Sequence, residues 1–197
     1  MRAHAVLVAA LAVGCSQGRS GGAFTVAGST AAPIPSAVAP VASAASPAPA
    51  PTLFAGATRV DVTPPVGVPL AGYGDGARRQ MPPNLDPNAY DHLLAPSTGE
   101  RDPIYARALF VSNGTDRVVF VSVDAIAMTD EFALAVFAKA QALGSTVPWE
   151  GCLFAAVHTH SGPGCLTHLL AWEIAAADLY HDSVFEAVTD GVARAMV

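Results

Sequence analysis

The run Arg117-Val-Val-Phe-Val-Ser-Val-Asp124, read together with Cys152-Leu-Phe-Ala-Ala-Val157, decides the fold. Both stretches are short, apolar and rich in β-branched or aromatic residues, as buried strands are. Between them, Thr129 or Asp130 can cap a helix. Phe132, Leu134, Val136, Phe137, Ala140 and Leu143 then recur at helical spacing, and Gly144 supplies a stop. Strand 117–123, helix 130–143 and strand 152–157 therefore form a βαβ unit. Its two strands should run parallel, with their carboxyl ends at the edge where ligands collect. Asp124 ends the first strand and reaches that rim.

The second strand delivers His158-Thr-His-Ser-Gly-Pro-Gly164 to the same place. In an extended chain, residues two apart project from one face, so His158 and His160 are expected to aim at one point. Neutral imidazole is the commonest protein ligand of zinc. A His-x-His pair alone is a weak signal, but here it emerges from a buried strand. It also enters a turn, with Gly162 and Gly164, that lets backbone approach a ligand closely. Asp124 has three readings: a metal ligand, a partner that fixes an imidazole tautomer, or a helix-entry residue. Support or structure is favoured over direct ligation. Ser161 invites a serine-hydrolase reading, which the missing Gly-x-Ser-x-Gly elbow disfavours. His168 and His181 have ordinary helical surroundings. Tyr73, between Gly72 and Gly74, lines a pocket or anchors a turn.

Working outward, residues 57–63 alternate as a strand and stop at Pro64-Pro65. Residues 104–111 form another strand, and Asn113-Gly114 signals a hairpin into the strand at Arg117. Residues 75–102 are polar, proline-rich and irregular, which in a compact domain marks a functional or mobile segment. Helices are expected over 169–180 and from Ser183 to the end of the chain. The expected fold is α/β: a mixed sheet with a βαβ crossover and flanking helices.

The first fifteen residues read as an export signal, with Arg2 ahead of the apolar core Val6–Val13. Gly14-Cys15 resembles a bacterial lipoprotein signal in which Cys15 becomes the lipidated first residue. Residues 16–52, rich in Ala, Pro, Ser and Gly, read as an extended tether. Residues 53–197 are then one domain, large enough for a real core. The expected location is outside the cytoplasm: a bacterial cell-envelope lipoprotein, or a periplasmic or extracellular protein. A net charge of −6 argues against nucleic-acid partners. Cys152 and Cys165 stand at opposite ends of a mostly extended segment, so two separate thiols are favoured over a disulfide.

The motif His158-Thr-His-Ser-Gly-Pro-Gly164 resembles the signature of the neutral/alkaline (non-lysosomal) ceramidase amino-terminal domain. Other similar segments stand in the family's order. They are Ala57-Thr-Arg-Val-Asp-Val-Thr-Pro-Pro65, Leu70-Ala-Gly-Tyr-Gly74, Asp102-Pro-Ile-Tyr-Ala-Arg-Ala-Leu109 and Arg117–Asp124. The resemblance implies zinc-dependent hydrolysis of an amide, the N-acyl bond of ceramide in the namesake enzymes. It implies His158 as a Zn2+ ligand and places His160 in the active site; His160 and Asp124 are the expected catalytic residues. Tyr73, Ser161, Gly162 and Gly164 would line the substrate pocket. The family's remaining ligands, a second histidine, a glutamate and a tyrosine, are expected beyond the matched region. The chain is thus expected to be a truncated amino-terminal part of a larger catalytic domain. The implied partners are an amide-containing lipid or other small molecule, and a membrane met through the lipid anchor. A non-catalytic exported lipoprotein module that keeps the fold without a complete metal site is the alternative.

Overall fold

The computed structural model describes residues 52–197. The signal expectation, Cys15, and the tether up to residue 51 lie outside the described residues. Among the described residues, no helix is long and apolar enough to cross a membrane.

Four strands form one mixed sheet in the order β1-β2-β3-β4: β1 is Phe54–Asp61, β2 Tyr105–Ser112, β3 Arg117–Val123 and β4 Cys152–Ala156. β1 and β3 each pair antiparallel with β2, while β4 pairs parallel with β3, Val121 opposite Phe154. The hairpin between β2 and β3 turns where Asn-Gly predicts it. Asn113 Oδ1 accepts from the amides of Thr115 and Asp116, and Gly114 takes φ 93°.

The crossover helix α1 spans Asp130–Ala142. Thr129 is its N-cap and accepts from the amide of Phe132 at 3.2 Å, while Asp130 and Glu131 suit the positive end of the helix dipole. At the other end Gly144 has φ 101°. Its amide donates to Gln141, and that of Ser145 to Ala140, the paired bonds of a Schellman motif. The last helix, α3, spans Asp182–Ala195. The expected helix over 169–180 is shorter than the sequence suggests. It comprises α2, Leu170–Trp172, followed by a π-helical segment, Glu173–Ala177. Asp178 ends it with φ 64°.

One face of the sheet is the core. Val119, Val121 and Val123 are each 1% exposed and pack with Phe132, Val136, Val188 and Val192 of α1 and α3. Burying each valine contributes roughly 1.5–3 kcal/mol. Phe132 and Phe185 meet edge to face at 5.7 Å across the two helices. Lys139 on α1 also reaches Glu186 at 2.6 Å and Asp190 at 2.7 Å on α3. Burial alone would pull its pKa down, but hydrogen bonds to Asp190 and Glu186 prevail and hold the ammonium above its ordinary 10.5. On the opposite face Leu109, Phe120 and Leu153 remain about half exposed.

Candidate functional site

β3 and β4 finish side by side at the carboxyl edge of the sheet, so Asp124 and the histidine segment do reach one rim. The segment lies outside the named strands and meets loop 69–71 in an isolated antiparallel bridge, Leu70 opposite Pro163. It is pinned to the backbone after β3 by the amide of Val157 on Val123 O, that of Thr159 on Ala125 O, and His158 Nδ1 on Ile126 O at 2.8 Å.

The two imidazoles are brought together, though not by strand alternation. β4 stops at Ala156, and His158 takes φ 60°, a left-handed turn. The rings end 5.3 Å apart, edge to face. The convergence expected from an extended chain is thus corrected. A left-handed turn at His158 does the work, with the ring held on Ile126 O. The contact with Ile126 O needs a proton on His158 Nδ1, which leaves Nε2 as the nitrogen with a free lone pair. His158 is exposed and His160 is half-buried. His160 Nδ1 is buried and has no hydrogen-bond partner.

Tyr73 arrives from the loop 69–74 and lies tilted on His160, with ring centroids 4.4 Å apart. It has φ 56°, and its neighbour Gly72 has φ 88°. A side chain at Gly72 would overlap the His160 ring, so glycine is required there for the loop to cover the imidazole. Arg78, which the sequence did not single out, stitches these parts together. Its Nη1 donates to the carbonyls of Ala71 and His160, both at 2.7 Å, and its guanidinium lies 5.1 Å over the Tyr73 ring.

Asp124 faces other partners. Oδ1 accepts from Arg107 Nη1 at 2.7 Å, and Oδ2 accepts from the amide of Tyr105 at 2.9 Å. The carboxylate holds the start of β2 against the end of β3, and the hydrogen bond to Asp124 raises the pKa of Arg107. Ser161 is exposed, and its amide donates to Thr159 Oγ1. A cavity of about 420 Å³ opens beside it, lined by Thr63, Leu70, Arg101, Asp124, Thr159 and Ser161 among others. Neither histidine is in its lining. Gly162 and Gly164 are buried, and a side chain at either would meet the carbonyl of Asp124 or of Ala177. Their close approach is to protein backbone, not to open ligand space.

Among the described residues, Cys152 and Cys165 are free thiols, Cys165 fully buried and Cys152 half-buried. Burial, followed by the nearby Asp178, pushes the Cys165 thiol far up. His168 stacks on Tyr180 at 3.6 Å, and His181 meets Tyr90 edge-on at 4.8 Å, in keeping with ordinary roles. Among the described residues, no group of three or more His, Cys, Asp and Glu side chains stands together as a metal cage.

A mixed α/β sheet whose parallel strands end in a histidine pair, one ring exposed and the other covered by Tyr73, defines the class. The family model for neutral/alkaline non-lysosomal ceramidase, N-terminal, matches residues 87–197, and the chain belongs to that family. Among solved structures, neutral ceramidase from Pseudomonas aeruginosa is similar at 24% identity and a TM-score of 0.57, over 73% of this chain and 20% of that one. A ceramidase complexed with C2 is similar at 24% identity and a TM-score of 0.58, over the same shares. At that identity the likeness shows the fold. The chain thus spans about a fifth of the length of the solved structures it matches. No curated protein matches it.

Proposed function

We propose that this chain supplies the histidine-bearing part of a zinc-dependent amide hydrolase of the ceramidase kind. The observation that carries the reading is the state of the two rings. His158 is oriented through Nδ1 by a backbone carbonyl and keeps Nε2 free, the arrangement typical of a metal-ligating imidazole. His160 keeps a buried nitrogen without a partner, 5.3 Å away between ring centroids. These residues fit the imidazole contacts of a zinc ion and do not complete its ligand set, since catalytic zinc takes three protein ligands. Bound zinc would supply a Lewis acid and bring the pKa of water toward ~7. His158 would hold the ion. His160, covered by Tyr73, would hold or pass a proton beside the scissile amide. Asp124 would keep the rim rigid through Arg107 and β2. Tyr73 and Ser161 would contact an amide-bearing lipid or similar small molecule.

The proposed setting is the bacterial cell envelope or beyond, with Cys15 lipidated and the domain carried near a membrane on its Ala/Pro-rich tether. Metal content and N-acyl hydrolysis of the longest natural product containing this chain, with and without His158→Ala, test the proposal. Zinc and activity in the natural protein, both lost in the variant, are expected. An absence of zinc from both would end the reading. That outcome would favour a non-catalytic exported module, the reading supported by the lack of a three-residue cage among the described residues.

A further inference from the structure

We propose that Asp178 is a positioning residue that fixes the His160 ring through two arms of the loop region. It rests on the reading of His160 as a working group, but its geometry stands apart from any metal. Asp178 is completely buried and adopts φ 64° with ψ 172°, a backbone region otherwise kept for glycine. Glycine would relieve the backbone there, yet an aspartate is present. Its carboxylate accepts from the amides of His92, Leu93 and Leu94, at 2.8–3.1 Å, and from its own neighbour Leu179 at 2.6 Å. A buried carboxylate needs that many donors to replace water.

The first arm runs through the π-helical segment that Asp178 terminates. Ala176 O accepts from Gly72 N at 2.6 Å, and Ala177 O from Cys165 N at 2.6 Å. Arg79 Nη2 donates to Ile174 O. Gly74 and Gly164 lie so close to the carbonyls of Ala175 and Ala177 that neither could carry a side chain. This segment therefore grips both loops of the site, and Gly72 abuts the His160 ring directly. π-Helical turns persist where a local register shift serves a site. The second arm runs through residues 92–95. Gln80 N donates to Leu93 O at 2.9 Å, and Ala95 N donates to Arg78 O at 2.7 Å. Arg78 then binds His160 O and covers Tyr73, which lies on the imidazole. The first arm leaves from the Asp178 backbone and the second from its carboxylate, and both close on one ring.

The test is ring NMR on the longest natural product containing this chain, freed of metal, comparing Asp178→Gly and Asp178→Asn with the parent. Glycine suits the backbone but brings no acceptor. Asparagine keeps the size but turns one acceptor into a donor facing donors. In both variants the cross-relaxation between the Tyr73 and His160 rings should fall at least several-fold. The His160 ring signals should broaden or shift, while those of Trp149, packed against Phe137 of α1, stay put. Lower stability alone would leave the ring pair intact in the molecules that remain folded. Folded Asp178 variants with unchanged His160 and Tyr73 signals would overturn the proposal. If neither variant folds, Arg78→Met cuts the second arm with Asp178 intact. It must then weaken the same ring contact, and an unchanged contact would overturn the proposal equally. Because no metal is present, failure here is distinct from failure of the hydrolase reading.

Discussion

The sheet with α1 and α3 and the loop region around His160 are held together by different physics. In the first, valines 1% exposed meet helix faces, and strand ladders and helix turns carry the backbone hydrogen bonds. In the second, glycines abut carbonyls, and a buried carboxylate and two arginines satisfy backbone groups far away in sequence. Apolar packing spreads its energy over many contacts. A polar clamp concentrates geometry in a few atoms. The first region should therefore fail globally when cut, and the second should fail locally.

The sharpest way to break that contrast begins in the core. Phe185→Ala removes a 5% exposed ring packed on Phe132 and should cost about 3–5 kcal/mol in urea unfolding, seen equally by every probe. Gly72→Ala should cost less, about 1–3 kcal/mol, because the His160 ring can move aside. Its mark should be loss of the Tyr73–His160 contact by NMR with the far-ultraviolet dichroism unchanged. If Gly72→Ala instead unfolds the whole chain, the two regions are one cooperative unit and the contrast fails. Thr129→Ala removes the α1 cap and should cost about 1 kcal/mol by the same urea measurement, without touching the loop contacts.

The smallest effect is one of pH. The pKa of Cys165 is raised in the fold above its ordinary 9.0, by burial first and Asp178 second. The folded state keeps that proton longer than the unfolded one. Its contribution is complete below pH 9 and is lost as pH rises above it. Cys152 is raised in the same direction, Tyr180 is pushed up to about 12 by burial, and Lys139 is raised as well. Thermal midpoints should thus fall as pH climbs from 9 toward 12, and Cys165→Ala should make the early part of that decline shallower. An unchanged slope in the variant would show that the thiol is not sealed from water.

The two regions also differ in how far the sequence discloses them. Alternation, the Asn113-Gly114 turn and the Thr129 and Gly144 caps announce β2, β3, α1 and β4 because each signal is local. The parallel pairing follows from the crossover, and it places Asp124 and the histidines at one rim. The left-handed turn at His158 was not legible, since the carbonyl that holds its ring, Ile126 O, lies 32 residues away in sequence. Nor was the early end of the expected helix at Ala177, which depends on Asp178 reaching amides 84 to 86 residues back. Arg78 gave no signal either, being one of several charges in an irregular stretch. Cys15 and the tether lie outside the described residues.

The account turns on one arrangement, two rings offered together from the exit of β4. Titrating the 197-residue chain with Zn2+ while following the histidine ring signals tests it directly. His158 and His160 should respond together, and His158→Ala should abolish both responses while His168 stays unaffected. Equal responses from every exposed histidine, or none from this pair, would contradict it.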